Sequence, residues 1–273
     1  MKFTVLGASG FIGARLAVHI NQLGHECFSP NRGDPTIFTE ELGHAIYCIG
    51  LTADFRTRTF DTVRAHVCYL AEILEKSHFE SLLYLSSTRL YGGSGSTDEE
   101  AVLRVNPQSP DDLYNLTKMA GESLCFSCGR QNVRVARLSN VYGPDFKSEN
   151  FLSSILRDVL KHRHVALRST PESAKDYVSI ADVTEILARI AIGGRRHLYN
   201  VASGINVSNE TLLQRLAELT GCTVAIVPGS PIVQFPKINT QRIQDEFSFA
   251  PRSVLEELDE LVNSYRKGLY DQH

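Results

Sequence analysis

The sequence lacks a long apolar run. No segment approaches the roughly 20 consecutive apolar residues that a helix needs to cross a bilayer. The first residues, MKFTVLGASGFIG, also lack the uninterrupted apolar core and the cleavage site of a signal peptide, because glycines break the run. We therefore expect a cytoplasmic protein with no membrane partner.

An excess of charge is also absent. The 273 residues carry a formal net charge of -3 at pH 7, and the 28 basic side chains are scattered along the chain. Dense basic segments are typical of proteins that bind nucleic acids, so we expect no nucleic-acid partner. With 42% hydrophobic and 22% charged residues, the composition is that of a globular protein with room for one large domain or two lobes.

Cysteines number six, too few for a disulfide scaffold in a chain of this length. Cys125 and Cys128 have CxxC spacing inside a helical pattern, but a zinc site needs a second pair of ligands. We therefore expect buried, unpaired thiols at this pair and no metal site.

Short apolar segments alternate with helical patterns over the first half of the chain. The predicted strands are FTVL (3–6), HECFSP (25–30), AIYCIG (45–50), SLLYLSS (81–87) and VRVARLSNVYG (133–143). Segments 11–24, 59–77 and 111–130 have apolar residues at helical spacing. This alternation predicts an α/β fold with a doubly wound parallel sheet, and its loosening after Pro144 predicts a smaller, mainly helical C-terminal lobe.

A glycine turn, GASGFIG, directly follows the first predicted strand and opens the first predicted helix. Glycines here let the backbone turn tightly and approach a pyrophosphate, while the helix N-terminus offers free N–H groups and a positive dipole end. The turn therefore predicts a Rossmann-type fold that binds a dinucleotide. The cofactor-binding candidates in it are Gly7, Ser9, Gly10, Phe11, Ile12 and Gly13.

The end of the second predicted strand, CFSPNRGD, has no carboxylate at its tip to bond a free ribose 2′-hydroxyl. Arg32 is placed to pair with a 2′-phosphate, which favours NADP over NAD, although an arginine in an exposed loop is the simpler interpretation. Asp34, two residues later, is an alternative contact for the adenine. We place residues 1–145 and 176–201 in the NAD(P)-binding domain and residues 146–175 and 202–273 in an interleaved substrate-binding lobe.

Two further segments carry groups suited to proton transfer. SSTRLYGG ends a central strand with consecutive hydroxyl residues, and DDLYNLTK places Tyr114 four residues before Lys118, on one helix face. Taken alone, the hydroxyls are best explained as bonds to their own backbone. The Tyr–Lys spacing alone is equally weak evidence.

Taken together, these segments resemble the extended short-chain dehydrogenase/reductases that act on nucleotide sugars. The resemblance covers nearly the whole chain and implies that Ser87, Tyr114 and Lys118 are catalytic and that the enzyme is a homodimer paired through helices 58–77 and 111–129. It rests on the order and spacing of GASGFIG, SSTRLYG, YNLTK, RLSNVYGP, KDYVSIADV, LYNVASG and INTQRIQDEFSFAP.

In such a site the ammonium of Lys118 and an oxidised nicotinamide stabilise a phenolate, which lowers the pKa of Tyr114 toward neutrality. Tyr114 then exchanges a proton with a sugar hydroxyl or ketone, Ser87 holds the same oxygen, and Lys118 bonds the nicotinamide ribose. The remaining substrate contacts that the resemblance implies are Thr88, Asn140 and Lys175. Lys175 stands where the family usually has an arginine that clamps the substrate diphosphate.

Departures from the family pattern narrow the reaction. Family 4,6-dehydratases carry Asp-Glu where this chain has Thr88 and Arg89, so dehydration is disfavoured, and His66 replaces a common Asn. The short link after the second strand resembles that of sugar 4-ketoreductases. We therefore expect a 4-epimerase or a 4-ketoreductase acting at C4. The alternative is a non-catalytic dinucleotide sensor or scaffold of the same fold.

Overall fold

A parallel sheet forms the centre of the structure, a computed structural model that describes residues 1–52, 54–146 and 148–270. The strands, in chain order, are Lys2–Leu6 (β1), Glu26–Phe28 (β2), His44–Tyr47 (β3), Ser81–Ser87 (β4), Val133–Leu138 (β5), Asn140–Tyr142 (β6), His164–Leu167 (β7), Ala174–Ser179 (β8), Leu198–Val201 (β9), Asn206–Ser208 (β10) and Thr223–Ile226 (β11). The central sheet has the order β2-β1-β3-β4-β5-β9, and each neighbouring pair in it is parallel. The predicted α/β fold with a parallel sheet is confirmed.

Helices cover both faces of this sheet. They are Phe11–Gln22 (α1), Thr59–Val63 (α2), Tyr69–Lys76 (α3), Leu113–Ser127 (α4), Phe151–His162 (α5), Ile180–Gly193 (α6), Asn209–Thr220 (α7), Gln241–Phe247 (α8) and Val254–Tyr270 (α9). Strand β4 is apolar on both sides: Leu83 and Leu85 pack with α1 and α6, whereas Leu82 and Tyr84 pack with α3 and α4. A strand buried on both faces is typical of a parallel sheet between two helical layers. Among the described residues, no helix is long and apolar enough to cross a membrane.

The strand order reverses at β1, which lies between β2 and β3. In open α/β sheets, ligands bind at the carboxyl ends of the strands where such a reversal opens a crevice. The connection from β2 to β3 contains only a short 3-10 helix, Pro35–Phe38, instead of an α-helical crossover. The predicted short link is therefore present.

The prediction of a single strand over residues 133–143 was wrong, because the chain passes from one sheet to another at Ser139. Its backbone N–H donates to Val201 O at 3.0 Å and its hydroxyl donates to Asp176, a residue of β8. The chain then continues as β6 in a second sheet of order β10-β8-β6. A strand pattern of this length cannot show which sheet each half joins.

A separate apolar core lies among α5, α7 and α9, around Leu156, Leu216 and Leu258. Strands β7 and β11 form a two-stranded parallel sheet beside it. The C-terminal part is thus less purely helical than its periodicity predicts. The division of the chain into two lobes at the residues given above stays a prediction.

All six cysteines are free thiols. Cys125 is buried as predicted, whereas Cys128 is only half-buried because it lies at the end of α4. The described residues contain no group of three or more His, Cys, Asp or Glu side chains arranged to hold a metal ion.

A buried ion pair joins α4 to β5. Arg137 donates to both carboxylate oxygens of Glu122, at 2.9 and 2.6 Å, and to the hydroxyl of Tyr91 at 2.7 Å. Tyr91 in turn donates to Asn200 at 2.8 Å. The side chains of Arg137 and Glu122 are only 3% and 4% exposed, so loss of either partner leaves an uncompensated buried charge.

Replacing Arg137 with Met should lower the free energy of unfolding by about 3–5 kcal/mol, because Glu122 then remains buried without its partner. The double variant Arg137→Met/Glu122→Leu should lose clearly less, since neither charge remains. Urea unfolding of the two single variants and the double variant checks this. A double variant as unstable as the sum of its parents would contradict the coupling.

Candidate active site

The three glycines of the turn after β1 are required for different reasons. Gly7 has a φ of +92°, a conformation that side chains with a Cβ rarely adopt. A Cβ at Gly13 would lie 2.3 Å from Gly7 O, so Gly13 permits the close packing of α1 on the turn. A Cβ at Gly10 would meet only Gly7 O, at 3.4 Å. Of these three glycines, Gly10 is thus the one at which a side chain would meet little of the protein.

The N-terminus of α1 lies at this turn. Gly10 is its N-cap, no side chain caps the helix, and its first turn has no acidic residue. The first N–H groups of a helix have no partner within it, and its dipole is positive at this end. Phe11 and Ile12 are half-buried, whereas Ser9 is exposed beside the turn. The predicted cofactor turn therefore has the free donors and open space that a pyrophosphate requires.

The segment after β2 holds the two residues predicted to contact the adenosine half. Arg32 is exposed. Asp34 caps the 3-10 helix Pro35–Phe38 by accepting from the backbone N–H of Thr36 at 3.0 Å and from its hydroxyl at 2.7 Å. These two bonds lower the pKa of Asp34. Sequence reasoning missed this capping role, although Asp-Pro-Thr is a readable capping signal.

Ser87, Tyr114 and Lys118 come together where β4 ends against α4. Ser87 is the last residue of β4, and its hydroxyl accepts from the backbone N–H of Arg89 at 3.2 Å. Tyr114 is 6% exposed. Burial raises the pKa of Tyr114, and hydrogen bonding to Ser87 followed by the charge of Arg89 opposes that rise. Helix α4 packs against the end of β4 and the 3-10 helix after it, so Tyr114 lies in the same region as Ser87.

Lys118 lies one helical turn beyond Tyr114 and is 4% exposed. Its ammonium donates to Leu85 O at 2.7 Å and lies 4.8 Å from the centre of the Tyr84 ring. Burial lowers the pKa of Lys118 to about 7, although the charge of Glu122, one turn further on, opposes the shift. An ammonium has three donors, so two remain beyond the bond to Leu85.

His66 supports the site from a π-helical segment, Arg64–Cys68, between α2 and α3. Its Nε2 accepts from the backbone N–H of Leu51 at 3.2 Å, so its Nδ1 carries the proton and donates to the Thr117 hydroxyl at 2.8 Å. The ring edge packs on Tyr114 at 5.4 Å between centroids. Burial, followed by the charge of Lys118, lowers the pKa of His66 to about 2, so the ring is neutral. Sequence reasoning identified His66 only as a departure from a family pattern.

The candidate substrate residues Asn140 and Lys175 lie on neighbouring strands of the small sheet. Asn140 donates to Asp176 O at 2.8 Å. The Lys175 ammonium lies 3.8 Å from the centre of the Phe151 ring, and burial lowers its pKa to about 8. Thr88, the third candidate, is 8% exposed and follows Ser87 in a 3-10 helix.

Asp176, which sequence reasoning missed, organises the neighbouring loop. Its carboxylate accepts from the backbone N–H groups of Ser203, Gly204 and Ile205, at distances between 2.6 and 3.2 Å, and from the hydroxyls of Ser139 and Ser203. A carboxylate that accepts several N–H bonds is held firmly in place. The signal in the sequence was an acidic residue directly before the apolar pair Tyr177 and Val178, which is unusual without a partner.

The chain matches the model of the NAD dependent epimerase/dehydratase family over residues 39–202, which include Ser87, Tyr114, Lys118, Asn140 and Lys175. The chain belongs to this family. The predicted resemblance is thus confirmed, and with it an NAD(P)-dependent enzyme family. No sequence of a curated protein matches the chain significantly.

Solved structures share the fold over nearly the whole chain. MoeE5 in complex with UDP-glucose and NAD has a TM-score of 0.83 at 21% sequence identity, with 98% of this chain and 100% of that chain covered. RMD from Pseudomonas aeruginosa complexed with NADPH has a TM-score of 0.79 at 20% identity, with 98% and 100% covered. UDP-glucose 4-epimerase from Thermotoga maritima with UDP-glucose has a TM-score of 0.77 at 19% identity, also with 98% and 100% covered. At such identities the likeness establishes the Rossmann-type fold.

Replacing Gly10 with Val should abolish the binding of NAD(P)H without unfolding the protein. The φ of -82° and ψ of 168° at Gly10 suit any residue, and the added side chain would fill the space in front of the helix N-terminus. Gly13→Ala is the matched control, because its methyl group meets Gly7 O and should destabilise the fold by about 1–3 kcal/mol. Calorimetric titration and thermal unfolding separate the two effects; unchanged affinity in Gly10→Val would refute the assignment of the turn.

Proposed function

We propose that this protein is an NAD(P)-dependent enzyme that transfers hydride at C4 of a nucleotide-linked hexose, as a 4-epimerase or a 4-ketoreductase. The observation that carries the proposal is the packing of α4, with Tyr114 and Lys118 one turn apart, against the end of β4 at Ser87, where the Lys118 ammonium donates to Leu85 O. These are the groups needed to hold one substrate oxygen and to move its proton.

In the proposed mechanism, Tyr114 accepts or donates the proton of the reacting oxygen, and Ser87 donates a hydrogen bond to that oxygen. Bound NAD(P) supplies the hydride acceptor or donor. Lys118 uses its remaining donors to orient the nicotinamide ribose, while its bond to Leu85 O keeps the ammonium close to β4. The glycine turn and the N-terminus of α1 would hold the cofactor's pyrophosphate.

The state of Tyr114 is the main electrostatic question in this mechanism. The sequence predicts a pKa near neutrality, whereas burial raises the pKa of Tyr114 in the structure. A positive charge brought next to the phenol favours the phenolate. Bound oxidised NAD(P) would supply such a charge, and Tyr114 would then serve as the base more readily.

The side chains of Thr88 and Arg89 argue against dehydration of the sugar. A dehydratase needs an acid/base pair to eliminate water, but Thr88 has no ionisable group and Arg89 remains a cation. The side chain of Thr88 is buried, and the guanidinium of Arg89 lies over the Tyr114 ring. The short link between β2 and β3 favours the reductase, and a cofactor that copurifies tightly would favour the epimerase.

A diphosphate is the substrate group best suited to Lys175. Among the described residues this ammonium has no carboxylate partner within ion-pair distance, and it lies on the Phe151 ring. A diphosphate would restore the charge that burial disfavours, and Asn140 on the adjacent strand is the proposed second contact. The ammonium of a lysine is a point charge, whereas the guanidinium of an arginine binds phosphate through two parallel hydrogen bonds. Lys175 should therefore orient the phosphates less strongly than an arginine would.

A homodimer remains our proposal for the assembly. Phe60 on α2 is 76% exposed and Phe126 on α4 is 49% exposed, so both helices that we expect at the interface present apolar side chains. The alternative function, a dinucleotide sensor or scaffold, has no need of the contact between Ser87 and Tyr114. Its discriminating feature would be NAD(P) binding without any turnover of nucleotide sugars.

Replacing Tyr114 with Phe should reduce turnover of the nucleotide sugar by about 10²- to 10⁴-fold while leaving cofactor binding intact, because only the proton-transferring hydroxyl is lost. For oxidation of a hydroxyl, the wild-type rate should rise with pH as the phenolate forms, and this limb should flatten in the variant. Tyr69→Phe, on the outer helix α3, is the control. A Tyr114→Phe enzyme with more than about a tenth of wild-type turnover would argue against the mechanism.

Replacing Arg32 with Ala should weaken NADPH binding about tenfold or more, since a charge-assisted bond to the 2′-phosphate is lost. NADH has no such phosphate, and its affinity should change little. Calorimetric titration of both reduced cofactors measures the two losses. Equal losses would remove the argument for a preference for NADP.

A further inference from the structure

Arg89 lies at the candidate active site but has no part in the mechanism above. It belongs to the 3-10 helix Thr88–Tyr91 that follows β4. Its guanidinium carbon is 5.4 Å from the centre of the Tyr114 ring and 5.2 Å from the centre of the Phe55 ring. The side chain is half-buried, so its charge is only partly screened by solvent.

The charge of Arg89 is not neutralised by an ion pair with any of the described residues. Its hydrogen bond is a long one of 3.4 Å to the backbone oxygen of Asp111. The carboxylate of Asp111 pairs instead with Arg56, whose guanidinium packs on Phe55. Arg89 therefore directs an unpaired positive charge at the face of the Tyr114 ring, which attracts cations even in the neutral phenol and more strongly in the phenolate.

None of the other titratable groups described around Tyr114 places a permanent positive charge beside it. His66 packs edge-on and is neutral, because its pKa is about 2. Burial lowers the pKa of Lys118 to about 7, and its ammonium is held by Leu85 O. Tyr84, behind Lys118, has a pKa raised well above its usual value and stays neutral. A guanidinium, in contrast, keeps its charge throughout the working pH range.

We propose that Arg89 is a positioning residue whose guanidinium, which lies over the Tyr114 ring, stabilises the phenolate of Tyr114. This inference rests on the proposed function of Tyr114 as the proton-transferring group. It adds a residue to Ser87, Tyr114 and Lys118, and it explains what an arginine contributes at a position where a dehydratase has an acid.

The ionisation of Tyr114 can be measured directly, without substrate. A fluorinated tyrosine incorporated at position 114 in the full chain reports its own titration by fluorine NMR, and its more acidic phenol brings the midpoint into a range in which the protein stays folded. Arg89→Gln removes the charge, and Arg89→Lys retains it. Arg215→Gln on α7, a helix that packs against β10 and α9, controls for the loss of one surface charge.

In Arg89→Gln the midpoint should rise by about one pH unit, since a positive charge within a few ångströms of an acid typically shifts its ionisation by this amount or more. Arg89→Lys should restore at least part of the shift, and Arg215→Gln should leave the midpoint unchanged. A midpoint in Arg89→Gln equal to that of the wild type would overturn the inference. Circular dichroism confirms that each variant is folded.

Turnover of UDP-glucose in the presence of oxidised cofactor separates this inference from the proposed function. A shifted midpoint in a protein that turns over neither UDP-glucose nor any member of a panel of nucleoside-diphosphate hexoses and 4-ketohexoses would refute the proposed function and leave the electrostatic role of Arg89 in place. An unshifted midpoint with a raised KM for UDP-glucose would mean that Arg89 binds the substrate instead, which also overturns the inference. A shifted midpoint with a lowered kcat and an unchanged KM supports both.

Discussion

The close approach of α4 to β4 is the contact on which the candidate site depends. A Cβ at Gly121 of α4 would lie 2.5 Å from the Tyr84 hydroxyl and 2.9 Å from His66 O, so only glycine allows the helix to pack at this depth. One turn earlier, this depth brings the ammonium of Lys118 to the backbone of β4 at Leu85. Two turns earlier it brings Tyr114 to Ser87. The ion pair of Arg137 with Glu122 holds the same helix against β5.

The depth of this packing also determines the charges of the site. Burial lowers the pKa of Lys118 and His66 and raises the pKa of Tyr114, so each group is pushed toward its neutral form. A positive charge beside Tyr114 favours its phenolate, whereas the same charge disfavours the cations of Lys118 and His66. The guanidinium of Arg89, over the Tyr114 ring, is a permanent cation in the same surroundings.

Several parts of the fold and site followed from local patterns. The glycine turn, the alternation of strands and helices, and the shared helix face of Tyr114 and Lys118 are sequence-local features, because each depends on spacing within a single element. The change of sheets at Ser139 was not predictable, since residues 133–143 read as one strand while their hydrogen-bond partners are distant in sequence. The roles of Asp176 and Arg89 were not predicted for the same reason, because the groups that they contact lie on loops and helices far along the chain.

By itself, the sequence determined the parallel α/β architecture and the position of the glycine turn, because period and glycine placement act over a few residues. The three candidate catalytic residues were identified through the resemblance of several motifs to a family, since the Tyr–Lys spacing alone is weak evidence. Only the tertiary structure decided how deeply Tyr114 and Lys118 are buried, which proton His66 carries and which charge faces the tyrosine ring. Those properties depend on the dielectric surroundings and the partners of each group, which are set by contacts between elements rather than within them.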